Sequence, residues 1–221
     1  RISLKTHGIE LINENIEIHC SQKGLDGFNY TESCGSDTGS INIFTIHNGD
    51  LGTAESLGFN RVFDLPDAQL DEYCEYKVIS DPDKYHLLNH LMENQETWQQ
   101  INAVSYKFDL HTSYTDCPTF APMPEVEITV DNNSISTIYD KTNEIALTDL
   151  DNYLTLDELL TDLIVSLKLT PIEAGRSPSE LNVPPISNNM GIPESYFINA
   201  GSDECDAISY NINNVEIISI D

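Results

Sequence analysis

The chain has 221 residues, 39% of them apolar, and 37 acidic residues against 10 Lys and Arg give it a formal net charge of -27 at pH 7. At neutral pH that field repels a phosphate backbone and an anionic membrane surface, which excludes nucleic acid as a partner, while basic protein patches and other cations are attracted. Apolar residues recur along the whole length, which argues for a folded protein, and the size fits one large domain or, as the composition favours, two smaller ones.

No apolar run approaches the roughly 20 residues that cross a bilayer. The chain opens on RISLKTHGIE, without an initiator methionine or a signal-peptide core, an opening expected of a mature form whose secretion signal or lipid anchor has been removed. The cysteines, at Cys20, Cys34, Cys74, Cys117 and Cys205, are widely spaced and form no C-x-x-C pair, so neither a zinc ribbon nor a thioredoxin motif is present. Disulfides in an extracytoplasmic setting, periplasmic, envelope or secreted, are the expectation, and the odd count leaves one thiol over.

Residues 1–80 read as short extended runs, IELI, IEIHC, SINIFTIH and EYCEYKVIS, separated by Gly, Asn and Asp turns. In INIFTIH, Ile41, Ile43 and Thr45 alternate with Asn42, Phe44 and Ile46, the pattern of a strand partly buried on both faces. A β-rich N-terminal domain is expected over 1–80, with LPDAQLDEY alone allowing a short helix.

Composition changes near residue 81. Pro82 sits at a helix start, and Leu87, Leu88, Leu91, Trp98 and Ile101 recur at helical spacing before the strand SYKFDL. EVEITV then alternates with Val126, Ile128 and Val130 on one side, and DNN joins it to SISTIYD as a hairpin. A second helix begins with Thr155 and Glu158 in capping-box spacing and carries Leu159, Leu160, Leu163, Ile164 and Leu167 along one face. ESYFIN and AISYNINNVEIIS follow as strands. Residues 81–221 therefore read as an α+β domain of two α-β-β-like units, a two-layer arrangement with an antiparallel sheet and two helices on one face. The other sheet face is left for water or a partner.

From Trp98 to Ile217 the pattern resembles a bacterial domain family of unknown function, DUF6174, found mostly in secreted proteins and lipoproteins. The likeness rests on Trp98, Tyr106 with Phe108, Cys117 before Pro118, and Val126, Ile128 and Val130. It continues through TLDEL at Thr155–Leu159, GIPESYFI with Gly191 and Pro193, then Asp203 and Glu204 before Tyr210 and Ile212. The family usually carries two cysteines close together where this chain has Cys117 alone. The resemblance implies an envelope or secreted location and carries no activity with it.

Cys117 stands in SYTDCPTF, with His111 the nearest base in sequence and Asp116 disfavouring a thiolate, so a disulfide outranks a nucleophile. Cys205, in the polar GSDECD loop, is the expected partner, and such a bridge is worth about 4 kcal/mol in the chain-entropy model. A Cys20 to Cys34 hairpin clip is expected among the rest, leaving Cys74 unpaired. His86 and His90, at i and i+4, have a spacing that can present two imidazoles to one metal, but no H-E-x-x-H pattern or third ligand accompanies them, and two solvent-facing histidines are expected. DLDNYLTLDELL fails as an EF-hand because Leu154 replaces the turn glycine and Leu160 the closing Glu.

No G-x-S-x-G elbow or glycine-rich phosphate loop occurs. The expectation is a non-catalytic, secreted or envelope-associated binding module, without cofactor, whose acidic surface engages a protein or another cationic ligand. The competing readings are a hydrolase assembled from distant acids and histidines, or a calcium- or zinc-binding protein. The charge imbalance predicts a fold stabilised by salt: the melting temperature rises as NaCl goes from about 20 mM to about 500 mM and screening tightens, and a flat or falling curve contradicts it.

Overall fold

The computed structural model describes residues 3–30, 38–70, 74, 78–117, 123–201 and 205–220. Ser3 caps the first element: its hydroxyl accepts the Thr6 backbone N–H at 3.0 Å, and Leu4, Gly8 and Leu11 recur on one buried face of helix α1, Leu4–Asn13. The run IELI is thus helical, not extended, because its apolar residues continue a spacing of three to four set by Leu4 and not an alternation of two. Gly8 lies so close to Leu169 that a Cβ there would run into its side chain.

Strands β1 (Ile18–Leu25), β2 (Ser40–Ile46) and β3 (Gln69–Leu70) form an antiparallel sheet in the order β2-β1-β3, with the short helix α2 (Leu51–Ser56) beside it. Within LPDAQLDEY, Gln69 and Leu70 form β3, and residues 71–73 lie outside the described residues. Of the expected strand EYCEYKVIS, residues 72–73 and 75–77 lie outside the described residues; of the rest, Cys74 is at a helical position and Val78, Ile79 and Ser80 form no strand, which corrects that expectation for the described part.

The second sheet is larger. Helix α3, Asp81–Gln99, is capped by Ser80, with Pro82 in its first turn and Asp81 and Asp83 favourably placed against the helix dipole. Strands β4 (Ala103–Tyr114), β5 (Val126–Asp131), β6 (Ser134–Asp140) and β7 (Ile145–Leu147) follow. The β5–β6 turn puts Asn132 and Asn133 at φ 49° and 61°, the left-handed pair that a two-residue hairpin needs. Helix α4, Leu156–Lys168, starts with the capping box formed by Thr155 and Glu158. Strands β8 (Glu173–Ser177), β9 (Glu180–Leu181), β10 (Ser195–Asn199) and β11 (Ala207–Ile220) complete an eight-stranded sheet in the order β7-β6-β5-β4-β11-β10-β8-β9, antiparallel throughout.

The architecture is α+β and mostly sheet, and each long helix is followed by four strands, one of them very short, so the α-β-β units are longer than expected. Trp98 of α3 and Leu156, Leu159 and Leu160 of α4 pack on Tyr106, Phe108, Leu110, Val126, Ile128 and Val130. Leu87, Leu88, Leu91, Leu163, Ile164 and Leu167 pack on Ala174, Tyr196 and Ile198. Both helices therefore lie on one face of this sheet. The first sheet is tied to α4 by a third cluster in which Leu169 meets Leu11, Ile16 and Ile18, and by the Ser21 hydroxyl donating to the Leu169 carbonyl at 2.7 Å.

Strand pairing brings the chain to both bridges. β4 and β11 pair Tyr114 with Ile208, and the same register carried three residues further sets position 117 opposite position 205. Cys117 and Cys205 are bonded there, Cα atoms 4.6 Å apart, and Asp116 accepts the backbone N–H groups of Asp206 at 3.3 Å and Ala207 at 3.2 Å. β3 meets β1 at Gly24 and Leu70, which returns the chain to β1 four residues before Cys74, itself at a helical position. Cys20 is accordingly bonded to Cys74, Cα atoms 5.7 Å apart, and not to Cys34, which lies outside the described residues. The Cys20–Cys34 clip and the free Cys74 are thereby corrected: strand order, not nearness in sequence, selected the partner. Replacing Cys117 and Cys205 together by Ser is expected to lower unfolding stability by about 4 kcal/mol, read from the urea midpoint under non-reducing conditions; an unchanged midpoint contradicts it.

Candidate functional site

Along β4, Tyr106, Phe108 and Leu110 point into the core, so Lys107, Asp109 and His111 point to the opposite face. Ladder partners extend that face. Lys107 stands opposite Thr129 and Glu216, Asp109 opposite Glu127 and Asn213, and His111 opposite Asn211. On β6 the pattern continues with Thr137 and Tyr139, both exposed. Helices α1 and α2 belong with the first sheet and α3 and α4 cover the other side, so this face carries none of the helices among the described residues.

Its charges are organised. Lys107 pairs with Glu216 at 3.1 Å, and the Lys141 ammonium bridges Asp109 at 2.6 Å and Glu125 at 2.7 Å. Asp109 also accepts the Asn214 side-chain amide at 2.6 Å. Asn214, held at φ 51° inside the irregularity between Asn213 and Glu216, is turned by that backbone toward Asp109. Asp109, and then Glu125, hold the Lys141 pKa well above the usual lysine range. The result is a broad polar surface with acids in excess.

A second polar group lies where the two sheets meet. Glu17 and His19 precede and open β1, Asp81 starts α3, and ligand-type atoms of the three lie within 4.8 Å of one another. The chemistry there is already served by an internal cation. Lys84, its side chain 3% exposed, places its ammonium 3.7 Å from Glu17 and 3.8 Å from Asp81. It also donates to the Thr170 hydroxyl at 3.2 Å and the Ile18 carbonyl at 3.4 Å. A buried ammonium so surrounded is a structural counter-charge, and its desolvation is tolerable only because every neighbour answers it. The Tyr85 hydroxyl donates to Glu17, which pushes the Tyr85 pKa up to about 12 and, aided by Lys84, holds the Glu17 carboxyl below its ordinary range.

His86 and His90, weighed as a metal pair and expected to face solvent, are not part of this group, and of the two only His86 is fully exposed. His86 is exposed, and the His90 Nε2 lies 3.1 Å from the Pro185 carbonyl oxygen. Lys84 was missed as a key residue in the sequence, although a signal existed: it sits three and four residues before Leu87 and Leu88, on the apolar stripe of the helix. Comparison with protein-family models, with curated proteins and with solved structures finds no match.

Removing the Tyr85 hydroxyl takes away the donor that most favours the Glu17 carboxylate. Because a depressed carboxyl pKa contributes stability that is lost as pH falls through the folded value, Tyr85→Phe is expected to raise the Glu17 pKa toward that of a free carboxyl. NMR titration of the Glu17 side-chain carboxyl measures this, and an unchanged midpoint breaks the assigned link.

Proposed function

We propose that the protein is a non-catalytic binding module, secreted or envelope-associated, that engages a basic protein surface through the helix-free face of its eight-stranded sheet. The observation that carries the reading is the layering: α3 and α4 cover one face, and the other presents Lys107, His111, Glu127, Thr129, Tyr139, Asn211 and Glu216. A broad face of this kind suits recognition of another macromolecular surface. The net charge of -27 makes a basic partner the complementary one.

Location is supported separately. The bridges Cys20–Cys74 and Cys117–Cys205 point to an oxidising, extracytoplasmic environment.

Isotope-labelled protein titrated with lysozyme, as a basic surface, at about 150 mM salt tests the binding reading. Resonance shifts are expected on the outward positions of β4, β5, β6 and β11, and succinylated lysozyme, with its charge reversed, is expected to cause none. Charge reversal by Glu127→Lys with Glu216→Lys is expected to weaken the complex about tenfold. An absence of shifts, or shifts centred on the first sheet, overturns the assignment.

A further inference from the structure

Between β2 and α2 the chain makes a single 3-10 turn, Asn48–Asp50, and His47, Asn48 and Gly49 are all exposed there. The turn brings together a nucleophile, an electrophile and a base. We propose that Asn48 deamidates without an enzyme: the Gly49 backbone nitrogen closes on the Asn48 side chain, and the His47 imidazole takes the proton that nitrogen must lose.

The contact that carries the proposal is made by His47. Its Nδ1 accepts the Gly49 backbone N–H at 3.1 Å, within the reach a general base needs. Gly49 is what admits the ring. A Cβ at that position would stand 3.1 Å from His47 Nδ1 and 3.5 Å from its Cε1, and beyond the chain neighbours no other group comes within 4 Å. The imidazole therefore lies over this peptide nitrogen with nothing else crowding the approach.

The electrophile is equally accessible. The Asn48 side-chain amide has no hydrogen-bond partner among the described residues. Two backbone bonds close the turn, from the Asp50 N–H to the His47 carbonyl at 3.0 Å and from the Leu51 N–H to the Asn48 carbonyl. A turn this short and exposed opens locally at small cost, which lets Asn48 rotate its side chain onto the Gly49 nitrogen.

The step balances without an oxidant or a cofactor. The Gly49 N–H proton passes to His47 Nδ1, and the nitrogen bonds to Asn48 Cγ to close a succinimide ring. His47 returns the proton to the side-chain nitrogen, whose bond to Cγ breaks as ammonia leaves. Water then opens the ring at either carbonyl, giving aspartate or an isoaspartate whose backbone is longer by one methylene. Either product adds a negative charge beside Asp50, and isoaspartate lengthens the segment that leads into α2, whose Ala54 is buried in the third core cluster.

Asp26–Gly27 can form the same ring and is the natural contrast. There Oδ1 accepts the Phe28 N–H at 2.9 Å and Oδ2 the Tyr30 hydroxyl at 2.6 Å, and Gly27, at φ 81°, lies against the Asp67 backbone. A carboxylate pinned through both oxygens is not free to turn on its neighbour. The proposal concerns the connection beside the first sheet, and it stands or falls independently of the binding reading given above.

The full-length protein is aged in neutral buffer for weeks, digested and mapped by mass spectrometry, with isoaspartate marked by an L-isoaspartyl methyltransferase and a labelled methyl donor. Exchange of ammonia for water and methyl labelling are expected in the peptide holding Asn48, with no labelling at Asp26. His47→Ala and His47→Asn are both expected to slow the reaction about tenfold or more. Asparagine at that position still offers the turn a side-chain acceptor but no comparable base, so the pair separates proton removal from capping. Gly49→Ala, whose Cβ crowds the imidazole, is expected to slow it at least as much. In urea, where the His47 contact is lost, wild type and the His47 variants are expected to react at one rate. A His47→Asn rate equal to that of the wild type, a difference that persists in urea, or labelling at Asp26 equal to that at Asn48 overturns the proposal.

Discussion

The antiparallel pairing of β4 with β11 is the constraint on which the other features of the large sheet rest. It joins Ala103 to Ile220 at one end and Tyr114 to Ile208 at the other, strands almost the whole domain apart in sequence. Every other strand of the sheet is added outward from this pair, one side from each helix-led unit. The Cys117–Cys205 bridge continues its register, a cleft lined by Trp98, Tyr106 and Asp157 lies at its opposite end, and Asn214 reaches Asp109 through the irregularity in its middle. A pairing of such long range implies a costly loop closure, whose entropy the bridge lowers once formed.

Much of this was readable in the chain. Thr155 with Glu158, the apolar positions of both helices, the two asparagines of the hairpin turn and the alternation at Val126, Ile128 and Val130 each follow from local rules, and each element formed where those rules place it. Local rules failed where the deciding partner was distant. IELI became helical because Ser3 caps it and Leu169 receives Gly8; neither fact is visible in a four-residue window. Cys74 met Cys20 through the order of strands, which spacing alone cannot supply. Of the site residues, Thr155 and Glu158 were legible as a capping box, while the hydrogen bond from Trp98 to Asp157 emerges only when the two helices are brought together.

The acids fall into two populations with different physics. Asp109, Glu158 and Asp116 are held by several donors each and act as fixed parts of the framework. Most of the 37 acidic residues have no such role, since 10 Lys and Arg cannot pair with them all. Their mutual repulsion is the term that salt relieves and that a basic partner would relieve more specifically. Lys84 marks the exception, a single cation that was taken inside to neutralise two carboxylates where the sheets meet.

The two terminal strands of the large sheet are stubs: β7 has three residues and β9 two. Few backbone amides and carbonyls are therefore free at either outer rim to template another extended chain. Edge-to-edge pairing is thereby disfavoured along those stubs. Whatever associates with this sheet must be selected by side-chain shape and charge, so a partner need not unfold any segment of itself to be recognised.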